Sequence, residues 1–280
     1  MISAFKTSEK NSKSISRMYA IAAARVKMSL SYKSSYLIVL FLNLVTITMY
    51  FFFSRLNPDM AVFGISASYF EFVFIGLALQ FIVGTSLATV NGSIYNEIVS
   101  GTWSSLLLHF NFAEYAIGTT LAGTFLASFS IFISLGVSYA FFGFSLSISG
   151  IQIALICLLF LLILLSHMVI SMIFAAFTIY YQKNSGIVPL LYQLTKTFSG
   201  IVFPIALLSG FPTVLSRSLP LTYGLEALHN VILSENIQWE IIQRNSLVLL
   251  GFIILVGIFS FIFVSKSIKH SKKHNKVDWY

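Results

Sequence analysis

Charge is what this sequence has least of: Asp, Glu, Lys and Arg make up 9% of its 280 residues, against about a quarter in an ordinary soluble domain. A chain so poor in ions cannot wrap a core in a hydrated skin, which excludes the usual soluble enzyme or binding module. Cysteine is nearly absent too. The lone Cys157 rules out an intrachain disulfide framework. There is no G-x-x-x-x-G-K-[ST] phosphate loop, so the chain has no such means of holding a nucleotide. Neither H-E-x-x-H nor G-x-S-x-G occurs, and no paired Asp falls in the apolar runs. His167 has Ile170 and Ser171 where a helical metal site would place its companion ligand. These absences argue against an intramembrane enzyme and predict no catalytic residue and no metal or cofactor on this chain.

What is present is oil. Hydrophobic residues reach 57%, Phe alone counts 28, and the mean hydropathy is +0.88. The composition is that of an integral membrane protein. Runs long enough to span hydrocarbon, roughly 17 to 25 residues, read at Tyr36–Phe53, Phe70–Val90, Ile117–Phe142, Ile151–Ile179, Ile187–Leu208 and Leu247–Val264. None alternates with period two, so a barrel is not expected. The fold class predicted is all-α, with six transmembrane helices. About thirty-five polar and basic residues precede the first run, so a cleaved leader is not expected.

The positive charge is concentrated at the two ends. Seven Lys and Arg precede the first run and five Lys follow the last, 12 of the 17 in all. By the positive-inside rule both termini are expected in the cytoplasm of a plasma-membrane protein, and six crossings satisfy that parity. Juxtamembrane cations facing anionic lipid account for the net charge of +8 without invoking nucleic acid. The single transmembrane domain then divides into a basic tail and N-terminal helix, interfacial or a cytoplasmic extension of the first span (1–35), a cytoplasmic loop (91–116), an outer region (204–246) and a second basic tail (265–280).

Two connections stand out by length. The first, NGSIYNEIVSGTWSSLLLHFNFAEYAIG, contains no Lys or Arg; a weakly amphipathic helix over about 93–109, interrupted at Gly101, is expected to lie on the interface or dock on another protein. The second holds Pro204, Pro212 and Pro220 within seventeen positions of still-apolar sequence. Proline ends or kinks helices. In the last part Leu221, Leu225, Leu228 and Ile232 recur at helical spacing, with Arg217, Glu226, His229 and Asn230 as polar positions. Such a segment is too broken to cross and too apolar to hang in water. Short helices that re-enter the outer leaflet and return, forming a hairpin between helices 5 and 6, are the expected solution.

The run FSGIVFPIALLSGFPTVLSRSLPLTYGLEAL resembles the signature of type-2 ABC exporter permeases, through Ser199, Gly200, Phe203 and Pro204, then Leu219 to Tyr223 and Glu226. NEIVSGTWSSLL is similar to that family's coupling region, through Glu97, Gly101, Thr102, Leu106 and Leu107. The resemblance implies coupling to a separate ATPase subunit, two copies per complex, through Glu97, Gly101, Thr102 and Leu106. It implies an outer gate built on Pro204, Pro220, Tyr223 and Glu226. ATP and Mg belong to the partner subunit, and a second permease, identical or homologous, completes the pore. Export of a hydrophobic or amphipathic cargo such as a lipid, drug, peptide or lipid-linked glycan follows from the same resemblance. A secondary transporter or a membrane-anchoring subunit is the alternative, although the first three runs show no counterpart to the proline-broken region that related halves require.

Polar residues within the apolar runs are costly. Gln80, His167 and Lys196 all fall near mid-depth, on the second, fourth and fifth runs, and a shared wet cavity is one expectation. Pairing with neighbouring helices is the other for Gln80 and His167, and snorkelling for Lys196. Glu71 is either an interfacial residue or a partner for Arg217.

Overall fold

The computed structural model describes residues 2–56, 68–144, 148–183, 186–234 and 236–273, with side chains from residue 14 onward. The basic positions Lys6, Lys10, Lys13 and Lys276, and most of the loop after the first apolar run, lie outside the described side chains. Everything regular that is described is helical, in the order α1 (Ile2–Ser31), α2 (Lys33–Leu56), α3 (Tyr69–Val99), α4 (Trp103–His109), α5 (Phe112–Phe142), α6 (Gly150–Tyr181), α7 (Ile187–Phe198), α8 (Phe211–Ser218), α9 (Pro220–Leu233) and α10 (Trp239–Lys273). Among the described residues five of these, α2, α3, α5, α6 and α10, are long and apolar enough to cross a membrane.

Several helix starts are written in the sequence. Ser68 precedes α3 with Glu71 three residues on; the Glu71 amide donates to Ser68 Oγ at 3.3 Å and the Ser68 amide to Glu71 Oε2 at 2.9 Å. The Asn111 amide donates likewise to Glu114 Oε2 at 3.2 Å, and the Ser149 amide to Gln152 Oε1 at 2.7 Å. Each reciprocal cap satisfies donors that a helix start leaves open. Glu71 is thus engaged at the start of its own helix rather than with Arg217.

The long helices run up and down between two ends of a bundle. At the upper end, where α3, α6 and α10 begin, Phe51, Phe70 and Phe142 pack ring on ring, with Phe51 stacked on Phe142 at 4.3 Å. The upper core joins Phe72, Val73 and Val83 of α3 to Leu159 and Ile163 of α6 and to Leu221, Leu225, Leu228 and Val231 of α9. The lower core joins Val90, Ile94 and Ile98 to Trp103, Tyr115, Ala175, Ile179 and Val264. The outside is apolar instead of polar. Of α2 only Ile47 is buried, and Phe132, Phe141, Leu255 and Phe261 are each exposed by 65% or more. Water would penalise such a surface at about 25 cal/mol per Å²; hydrocarbon would not.

The fifth expected span is where sequence and structure diverge. In place of one helix over 187–208, α7 stops at Phe198, because Gly200 takes a left-handed φ of +84° and the chain passes through Pro204 into a short 3₁₀ turn at Ile205–Leu207. With 12 residues, α7 is about 18 Å long, too short to cross alone. Pro212 and Pro220 then stand within the first two positions of α8 and α9, starting helices instead of bending them. Since α6 ends at the lower end and α10 begins at the upper, the α7–α9 stretch makes the ascent between them in pieces. α9 lies against α6 with Gly224 at Ile163 and the Val231 carbonyl accepting from Gln152 Nε2 at 2.7 Å. Those two levels are three turns apart on α6, about 16 Å.

Candidate functional site

At the lower end, α3 stops in a built-in cap. The Thr102 amide donates to the Glu97 carbonyl at 3.0 Å and the Gly101 amide to the Ile98 carbonyl at 3.1 Å, with Gly101 at φ +70°. This is a Schellman end, and its left-handed position wants glycine. The Glu-then-Gly-Thr spacing therefore describes a helix terminus that aims the Glu97 side chain and the following α4 in fixed directions.

The Glu97 carboxylate reaches two other segments. Its Oε1 accepts from Arg25 Nη2 of α1 at 2.5 Å, and its Oε2 accepts from Thr102 Oγ1. Arg25 also donates to the Tyr115 hydroxyl of α5 and lies over that ring at 5.4 Å, a cation–π placement. The Trp103 ring, 1% exposed, meets Tyr115 edge-on. One ion pair, mostly withdrawn from solvent, thus ties α1, α3, the α4 entry and α5 together. A second tie lies beside it: Glu114 accepts from Ser14 Oγ at 2.7 Å and faces Arg17 at 3.8 Å.

These contacts set the course of α1. Ser14 and Arg17 meet Glu114, Ile21 packs on Gly118 and Arg25 returns to Tyr115. Farther along, Val26 and Leu30 lie beside Leu121 and Phe125, so α1 runs along α5, and the long Arg25 side chain reaches back to Tyr115. The basic residues of this stretch divide by role: Arg17 and Arg25 of α1 turn to α5 and α3, while Lys27 and Lys33, the latter at the start of α2, stay exposed. On α4, Leu106 is partly buried against the lower core; Val99 and Leu108, at 56% and 83% exposed, are the apolar groups left facing out. Sequence reasoning singled out Glu97, Gly101, Thr102 and Leu106 and missed Arg25, Tyr115 and Glu114. The signal available for Glu114 was its place three residues after Asn111.

At the upper end, Pro204 precedes the 3₁₀ turn and Pro220 opens α9, its ring buried. The Tyr223 hydroxyl donates to the Arg217 carbonyl at 2.8 Å, closing α8 onto α9. Glu226 accepts from Arg244 at 3.0 Å and from Asn245 Nδ2 at 3.1 Å, which ties α9 to α10. His229 and Asn230 are buried instead of facing water; His229 stacks on Phe72 at 4.0 Å and its Nε2 bonds to the Phe72 carbonyl at 3.0 Å. A cavity of about 840 Å³ opens beside these groups, between the 199–208 segment, α8, α9 and the start of α10.

The three intramembrane polar residues are not bonded to one another among the described residues. Gln80 donates to the Tyr192 carbonyl of α7 at 3.1 Å. His167 Nδ1 bonds to the Ile163 carbonyl at 2.8 Å and approaches Ser166 Oγ at 3.1 Å, within its own helix. Lys196 lies partly buried on α7, one turn beyond Tyr192.

Residues 106–233, from inside α4 to the end of α9, match the family model of the ABC-2 type transporter. The chain carries an ABC-2 transporter membrane domain. The match supports a type-2 ABC permease, and the membrane component of that family does not itself hydrolyse ATP. Partnership with an ABC ATPase subunit follows from the same domain. The match takes in the proline-rich upper region of the ABC-2 domain and begins just after the Glu97–Thr102 terminus. No curated protein matches the chain.

Proposed function

We propose that this permease belongs to an ATP-driven exporter and moves a hydrophobic or amphipathic cargo across a plasma membrane, with both termini in the cytoplasm. Two copies of a separate ATPase subunit, carrying ATP and Mg, dock beneath it, and a second permease completes the path. The observation that carries this reading is the lower junction. α1, the end of α3, α4 and the start of α5 are joined by Arg25, Glu97 and Tyr115 into one body, next to an outward apolar patch of Val99 and Leu108. A push on α4 cannot be absorbed by a loop there; it passes into α3 and α5. Glu97, Gly101 and Thr102 fix that geometry, and Leu106 anchors α4 to the core.

At the other end, α7 to α9 read as a sixth crossing made of pieces, with α8 and α9 as a hairpin dipping into the outer leaflet. The depth of Gly224 along α6 and the exposed Phe211 and Val214 of α8 support this. The bonds of Tyr223 and Glu226 hold the hairpin shut against α8 and α10, as an outer gate requires.

The test is gentle purification of the chain from its native membrane, with mass spectrometry of what accompanies it. The expected companion is a chain bearing a phosphate loop, present with wild type and lost from Leu108→Asp at equal permease yield. Recovery of the permease without any ATPase, or an ATPase indifferent to Leu108→Asp, would overturn the docking assignment.

A further inference from the structure

The cavity at the upper end has a chemistry that the gate alone does not require. Its volume, about 840 Å³, is that of a small-molecule site. Several of its acceptors are already engaged: Glu226 by Arg244 and Asn245, Asn230 Oδ1 by the Gln238 amide at 3.1 Å, and the Arg217 carbonyl by Tyr223. Cationic donors remain on the wall. Ser199, beside the cavity, is fully buried, and its Oγ has no hydrogen-bond partner among the described residues. The Arg217 guanidinium lines the cavity, with no carboxylate within ion-pair distance among the described residues. Arg244 uses Nη2 on Glu226 and Nε on Asn245, which leaves further N–H groups of its five. With Glu226 offset by Arg244, Arg217 gives the wall a net positive charge. Phe72, Ile205 and Leu225 supply an apolar floor.

We propose that this cavity binds the phosphate headgroup of a lipid-like amphiphile, with Arg217 as the principal partner of the phosphate, the spare N–H groups of Arg244 as further donors and the tail on the apolar floor. Unused N–H donors and a guanidinium with no carboxylate partner among the described residues match an oxyanion, since guanidinium–phosphate bonds are charge-assisted. A cationic ligand would meet like charge, and a neutral one would leave the charge of the wall uncompensated. The inference rests on the outer placement of this end proposed above, while its test involves no ATPase, so its failure leaves the permease reading intact.

The experiment is equilibrium binding of labelled phosphatidic acid to the full chain in neutral maltoside detergent, with diacylglycerol of the same chains and inorganic phosphate as competitors. Phosphatidic acid should outcompete diacylglycerol by about tenfold, the worth of one charge-assisted contact. Arg217→Gln should erase that margin, and Arg217→Lys, which keeps the charge, should retain most of it. Equal binding of the two lipids, or an Arg217→Gln variant of unchanged helicity that keeps the margin, would overturn the site. Inorganic phosphate displacing the lipid at equal concentration would overturn the amphiphile and point to a soluble phosphate; failure to displace it supports the lipid.

Discussion

Glu97 shows how a single residue can be visible in a sequence while its work is hidden. The spacing to Gly101 and Thr102 marked it, and the Schellman terminus explains that spacing by local geometry alone. Its partner Arg25 lies seventy-two positions earlier on a helix whose charges point all round, so nothing local distinguishes it from Lys27. Two consequences belong at this scale. Gly101→Ala must adopt a left-handed conformation that costs an ordinary residue about 1 kcal/mol, and a thermal-unfolding series should place it below wild type, with Gly101→Asn between them. Removing one member of the ion pair strands the other, with 16% and 20% of their side chains exposed. Arg25→Ala or Glu97→Ala should each destabilise by about 3 kcal/mol, whereas an apolar replacement of both should cost less than either single. Equal, additive losses in a double-mutant cycle would show that the pair does not hold the junction.

At the scale of elements, the capped starts of α3, α5 and α6 were readable because Ser-x-x-Glu, Asn-x-x-Glu and Ser-x-x-Gln are local chemistry. The end of α7 was not. Hydropathy stays high from Ile187 to Leu208, and only the left-handed turn at Gly200 and the fixed φ of Pro204 divide the run. The burial of His229 and Asn230 was hidden for a related reason: α9 is packed among α3, α6 and α10, and the stacking of His229 on Phe72 leaves no trace in the local sequence. That packing depends on Gly224, where an added Cβ would fall 2.3 Å from Ile163 Cγ1. Gly224→Ala should push α9 off α6 and cost about 1–3 kcal/mol. The penalty should shrink in an Ile163→Ala background, which removes the clashing atom; an undiminished penalty would place the strain elsewhere.

For the whole molecule, low charge and long apolar runs were enough to indicate a helical membrane protein, and the apolar outer surface of the bundle agrees. Orientation rests on the basic ends, so impermeant maleimide on intact cells should label Trp239→Cys and spare Lys27→Cys, each in a Cys157→Ser background; the reverse pattern would invert the proposed topology. The family match supports a permease component, and the account proposed on it is mechanical: the Arg25–Glu97–Tyr115 junction would carry ATPase motion from the lower end to the hairpin proposed at the upper. The most direct measurement is the rate at which a Thr213→Cys thiol at the upper cavity is labelled in the native complex, with and without ATP. The account predicts a rate that changes with ATP in wild type and no longer changes in Glu97→Gln, with the ATPase still bound. A rate indifferent to ATP, or an ATP response that survives Glu97→Gln intact, would contradict it.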